Sequence, residues 1–172
     1  MTYSRISTID KPKIEFVEPL FALDDNSTTM VANRVYLNPV VIPRALVVDQ
    51  IVPTWSGVAA GNVRVGLFKD NGNTPVGGAL IVESASTAKS GTNRKQEISI
   101  AETILTKSIV WVFVYSDEAT TQVVCGSKLA SLEGTLQPCY FNQAYGALPA
   151  VCPALAGSNY GATAMLHVKR VY

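Results

Sequence analysis

Ser108-Ile109-Val110-Trp111-Val112-Phe113-Val114-Tyr115 is the stretch on which the fold turns. From Ile109 to Tyr115 every residue is aliphatic or aromatic, and β-branched valines alternate with large side chains. A run this short is far below the length a membrane-spanning helix needs. Its composition predicts instead a central strand buried on both faces. Working upstream, Thr106-Lys107-Ser108 is a turn, and Gln96 to Leu105 forms the preceding strand. There Ile98, Ile100 and Ile104 share one parity, opposite Glu97, Ser99 and Ala101. Asn62 to Lys69 alternates as well, with Val63, Val65 and Leu67 on one side and Arg64 and Gly66 on the other. It ends in Asp70-Asn71-Gly72-Asn73-Thr74-Pro75, whose Asn-Gly pair suits positive φ and whose proline stops pairing.

Further strands are expected at Arg34 to Ile42, Ala45 to Val52, Leu80 to Val82, Thr121 to Leu129 and Ala164 to Tyr172. About eight strands separated by turn signals, without an amphipathic helix, predict an all-β sandwich or barrel. Val63, Val65, Leu67, Ile98, Ile100, Trp111 and Phe113 are the expected core. Two segments stand outside this pattern. Residues 1–30 carry Pro12, Pro19 and the polar cluster Asp24 to Thr29, and read as an extended arm. Phe16, Leu20 and Phe21 are its expected contacts with a neighbour. Residues 31–172 form the sandwich domain, interrupted at 130–161 by a long connection rich in Pro, Gly and Ala. Long connections of this kind tend to carry function. Tyr140, Phe141 and Tyr145 are therefore expected at a subunit interface.

The 172 residues include 48% hydrophobic and only 16% charged, with a net charge of +1. That balance excludes a disordered tail and gives no field to attract nucleic acid. It also leaves little repulsion between copies, which favours self-association. The start, Met1 to Asp10, has no apolar stretch of the kind a secretory signal needs. Synthesis in a reducing cytoplasm without a signal peptide is the expectation. Cys125, Cys139 and Cys152 are odd in number and widely spaced, matching neither a disulfide framework nor a zinc site, and read as buried free thiols.

Catalytic patterns are weak. His167 is the one histidine, predicted on the polar face of the last strand opposite Leu166 and Val168. No Gly-x-Ser-x-Gly accompanies it. Asp24-Asp25 and Asp117-Glu118 are adjacent carboxylates in turns, unlike an opposed acid–nucleophile pair. No catalytic residue, metal ligand or cofactor is expected.

Tyr36-Leu37-Asn38-Pro39-Val40-Val41-Ile42-Pro43-Arg44, followed by Leu46-Val47-Val48-Asp49-Gln50-Ile51, is similar to the opening of a jelly-roll-like domain of phage virion surface proteins. Gly61-Asn62-Val63-Arg64-Val65-Gly66-Leu67-Phe68-Lys69-Asp70-Asn71 resembles that family's Gly-x-x-Arg-x-Gly strand. Thr74-Pro75-Val76-Gly77 stands at its Pro-Gly turn with Val76 inserted, and Ile109 to Phe113 resembles its Tyr-Trp-Leu strand with Val110 in place of the tyrosine. The likeness covers residues 34–116. It implies a jelly-roll-type antiparallel β-sandwich, with Trp111 filling the sandwich core and Arg64 pairing with an acid or carbonyl. It also implies a non-enzymatic structural protein of a virus of bacteria or archaea: a capsid decoration, turret, head-fibre or tail-associated component, located in the virion. Expected partners are other copies, as a homotrimer, and virion proteins such as the major capsid protein or a tail or portal component, with no nucleic acid and no membrane insertion. The alternative is a carbohydrate-recognising or host-receptor module binding a host surface glycan, with Trp55, Tyr140, Tyr145 and Tyr160 as stacking rings.

Overall fold

The computed structural model describes residues 16–17, 23–57, 60–90, 95–120, 122–126, 136–158, 161–162 and 164–172. Among these the chain is all strand and loop. In order they are β1 (Phe16–Val17), β2 (Leu23–Thr29), β3 (Arg34–Ile42), β4 (Leu46–Pro53), β5 (Asn62–Lys69), β6 (Leu80–Glu83) and β7 (Thr87–Ala88). Then follow β8 (Ile98–Leu105), β9 (Ser108–Ser116), β10 (Gln122–Gly126), β11 (Cys139–Asn142), β12 (Gly157–Ser158), β13 (Gly161–Ala162) and β14 (Ala164–Val171).

Two antiparallel sheets make a β-sandwich. One has the order β1-β14-β4-β8; the other runs β12-β11-β3-β9-β5-β6, with β7 also on β5. A small third sheet, β13-β10-β2, joins the rest through a bridge between Trp55 and Val123. The pairings of the two main sheets are nested. β1 pairs with β14, β3 with β9, β4 with β8, and β5 with β6, each antiparallel. Most connections cross between the sheets: Pro43-Arg44-Ala45 carries β3 into β4, and Thr106-Lys107 carries β8 into β9. The β5–β6 hairpin stays within one sheet, and its turn uses the positive φ of Gly72 and Asn73.

The alternation seen in the sequence fills the space between the sheets. Val63, Val65, Leu67, Ile98 and Ile100 are buried there against Val110, Val112, Val114, Leu46, Val48, Ile51 and Leu166. The large residues of β9 lie on the opposite face. Trp111, Phe113 and Tyr115 join Val35, Leu37, Phe68, Cys139, Phe141, Leu148 and Cys152 in a second buried cluster. Trp111 is thus fully buried, yet it fills this outer layer and not the sandwich interior expected of it.

One more expectation changes. Ile104 does not share the inward parity of Ile98 and Ile100; it is 67% exposed. The β4–β8 register shifts between Val48 and Gln50, and Ala101 and Glu102 are both exposed, so the alternation changes phase and Leu105 turns inward. Within the extended arm expected at residues 1–30, β1 extends the first sheet and β2 pairs with β10.

Candidate functional site

Residues 136–158 of the connection expected at 130–161 fold back on their own domain. β11 adds to the edge of β3, with Tyr140 opposite Tyr36 and Phe141 opposite Val35. Adjacent strand residues point to opposite faces, so the two aromatics part company. Phe141 enters the outer cluster, 1% exposed, with its ring 6.3 Å from Phe68. Beyond it, Leu148 and Cys152 close the same layer. The Gly77 N–H donates to the Cys152 carbonyl, the Cys152 N–H to the Gly78 carbonyl and the Leu80 N–H to the Ala150 carbonyl, so this lid is tied to the β5–β6 connection. Phe141 is therefore taken out of the expected subunit interface: its side chain is enclosed by its own subunit.

Tyr140 packs on the inner side, half-buried, beneath the Arg34 guanidinium, which sits 4.0 Å from the ring centroid. Tyr36 adds a second ring 6.4 Å from Tyr140 and accepts a bond from the Val31 N–H on its hydroxyl. Gly157 sits so close to the Tyr140 ring and hydroxyl that a Cβ there would be 2.6 Å from the oxygen. Tyr145 lies on the other side of the sheet, its ring 4.9 Å from Tyr115 and its hydroxyl 2.9 Å from Ser86 Oγ. Tyr140 and Tyr145 thus do not form one stacking platform. Trp55 does not join them either. It is fully buried, with its indole N–H donating to Gln96 Oε1 at 2.8 Å, so neither ring face is open to a sugar. Phe16, half-buried in β1, packs edge-on against His167. Leu20, Phe21 and Tyr160 lie outside the described residues.

Polar locks hold the lid and the sheet ends. Arg64 Nη1 donates to Glu83 Oε1 at 3.1 Å and to the Ser84 carbonyl, matching the expected acid and carbonyl partners. Glu83 Oε2 in turn accepts the Leu148 backbone N–H, so one carboxylate ties β5, β6 and the lid together. Burial pushes the Tyr115 hydroxyl up to about 12, with Tyr145 adding to the shift; Tyr115 donates to the Gln143 carbonyl.

Sequence reasoning missed the Lys89–Ser116 pair. Both residues are buried, and Lys89 Nζ donates to Ser116 Oγ at 2.6 Å. Burial lowers the Lys89 amine to about 8, against the pull of Asp117 and Glu118. Ser116 Oγ also accepts the Glu118 N–H and donates to the Glu118 carbonyl, which fills the hydroxyl's bonding capacity. Chemically the pair is a lock on the β9 turn. Burial opposes ionisation of Asp117, but the Asn62 side chain and backbone N–H bonds outweigh it and hold the carboxyl below its ordinary value. The sequence signal was an isolated lysine within a polar loop, which ordinarily reads as solvated. His167 keeps its expected face on β14 and contacts Asp49 at 2.9 Å, where the β4 register shifts. Cys139 and Cys152 are buried free thiols, pushed up to about 12 by burial. Against known proteins, no family model and no curated sequence matches the chain.

Proposed function

We propose that the chain is a non-enzymatic structural protein of a virus particle, a capsid decoration, turret, head-fibre or tail-associated component, folded as a jelly roll. The observation that carries this reading is the nesting of pairs among eight strands of the two main sheets, β1 with β14, β3 with β9, β4 with β8 and β5 with β6. A long antiparallel hairpin rolled into two facing sheets has this order, and eight-stranded jelly rolls of that kind recur in viral capsid and lectin domains. The residues that carry the phage-family likeness support it through distinct framework roles. Gly61 adopts φ +69, Arg64 bridges Glu83 and Ser84, and Gly66 lies under the Phe113 ring, where a Cβ would be 2.5 Å from its tip.

In this reading self-association uses surfaces other than the lid, because Leu136, Cys139, Phe141, Tyr145, Leu148 and Cys152 turn into the chain's own outer cluster. Mass spectrometry of gradient-purified particles from the source tests the proposal. The chain is expected among the abundant particle components. Its recovery only from the soluble lysate, with none in particles, would overturn the reading. Sedimentation of the purified chain tests the trimer: a monomer at all accessible concentrations removes self-association from the proposal.

A further inference from the structure

One end of the sandwich carries an apolar surface that the lid leaves open. Two adjoining grooves of about 430 and 460 Å³ share Ser108 and Ile109. The first opens between the edges of the two sheets, where Ile81 of β6 faces Ile104 and Leu105 of β8. The second runs along the β3–β4 corner past Val41 and Pro43. Ile104, Val41 and Ile81 are 67%, 42% and 37% exposed. Apolar side chains thus cluster in a concavity instead of standing singly on the surface.

The charges around these grooves are mostly positive, three cations against the single carboxylate Asp70. Lys69 and Lys107 line them and are exposed, and Arg44 is exposed on the corner beside Pro43. None of the three has a carboxylate within ion-pair distance among the described residues. The one lining carboxylate, Asp70, is already engaged. Its Oδ1 accepts the Trp111 indole N–H at 2.8 Å, and its Oδ2 accepts the Asn73 N–H at 2.9 Å. The surface therefore offers apolar slots and three cations without an ion-pair partner among the described residues, against one carboxylate already hydrogen-bonded within the chain.

We propose that this end of the sandwich docks an acidic, apolar peptide segment of another protein, its large side chains filling the two grooves and its carboxylates meeting Lys69, Lys107 and Arg44. Charge complementarity selects that occupant. The chain's own residues 1–15 carry Arg5, Lys11 and Lys13 against Asp10 and Glu15, so they bring cations to cations. A lipid surface favours a protruding apolar tip, whereas the first groove is recessed between the β6 and β8 edges. The inference rests on this surface alone and stands whether or not the chain is a virion component.

Fluorescence anisotropy with a short labelled peptide alternating Asp and Leu tests it, against the same peptide with Lys in place of Asp. The acidic peptide is expected to bind at low salt, and the basic one at least about tenfold more weakly. Raising the salt is expected to weaken the acidic complex, because exposed charges are screened. Lys69→Glu with Lys107→Glu should reduce affinity about tenfold or more, and Ile104→Ser should reduce it without altering the salt dependence. These are surface positions, and unchanged thermal unfolding of each variant shows that the fold is retained. Equal binding of both peptides, or none of the acidic one, overturns the proposal. So does binding of phosphatidylserine vesicles in the absence of peptide binding, or loss of the site to a salt-insensitive dimer in sedimentation.

Discussion

The two faces of β9 lead into two different cores. On the inner face Val110, Val112 and Val114 meet aliphatic residues of the opposing sheet. On the outer face Trp111, Phe113 and Tyr115 meet aromatics, two thiols and a lid brought from residues 136–156. The inner core is built by alternation, repeated strand after strand, and needs no special partner. The outer core combines large rings with specific polar anchors. Asp70 holds the Trp111 indole, Gln143 receives the Tyr115 hydroxyl, and Glu83 receives Leu148 and Arg64. Aliphatic packing thus sets the sandwich, while the polar anchors set where the lid sits.

The largest effect should come from emptying the outer core. Trp111→Ala removes a fully buried ring and leaves Asp70 without its indole donor, and should cost about 3–5 kcal/mol in urea unfolding. Val112→Ala, one residue away on the inner face, should cost roughly 2 kcal/mol. Equal costs would erase the contrast between the faces. Gly66→Ala comes next. Its Cβ would lie 2.2 Å from the Val82 carbonyl oxygen and 2.5 Å from Phe113 Cζ, so the β5–β6 pairing must shift. We expect a loss of about 1–3 kcal/mol and a lowered thermal midpoint.

A smaller effect separates the Lys89 lock from both cores. The folded amine releases its proton near 8, whereas the unfolded one holds it to 10.5. Between these values the unfolded chain binds more protons, so folding stability rises with pH across that window and the gain is absent below it. The wild type should therefore gain on the order of 1–2 kcal/mol relative to Lys89→Met from about pH 8 toward 10. Cys139 and Cys152, held protonated up to about 12, work in the opposite direction above 9 but are common to both proteins. Parallel pH profiles of the two proteins would show that Lys89 is not the group responsible. The least effect concerns reactivity alone. Alkylation at mildly alkaline pH, read by peptide mass spectrometry, should leave Cys139 and Cys152 unmodified in the folded protein and label both in denaturant. Rapid labelling of either in the folded state would mean the lid opens freely.

The inner core was legible because period-2 patterning acts locally: Val63, Val65 and Leu67 declare their face within a few residues. The doubly apolar stretch at 109–115 likewise announced burial on both sides. What covers its second side was not legible, since that depends on β11 pairing with β3 across about a hundred residues of chain. Ile104 was misassigned for a similar reason. A bulge is a property of two strands meeting, and the β8 sequence alone carries no mark of where its phase changes. Trp55, a stacking ring in the carbohydrate alternative, is made structural by its bond to Gln96 and its burial beside the third sheet, which depend on contacts distant in sequence. Lys89 and Ser116 are brought together only by the β5–β7 and β5–β9 pairings.

The two tryptophans fall one to each core, Trp55 in the inner cluster and Trp111 in the outer. Trp55→Phe and Trp111→Phe therefore leave a separate fluorescence probe for each layer. The most direct test is equilibrium urea unfolding of both variants over about a hundredfold range of protein concentration, since a core completed by another subunit would become more stable with concentration. Because the lid belongs to the same chain, the midpoint reported by Trp111 should not move relative to that reported by Trp55. A Trp111 midpoint that climbs with concentration while the Trp55 midpoint stays fixed would contradict the account, showing that a neighbouring copy covers the outer face.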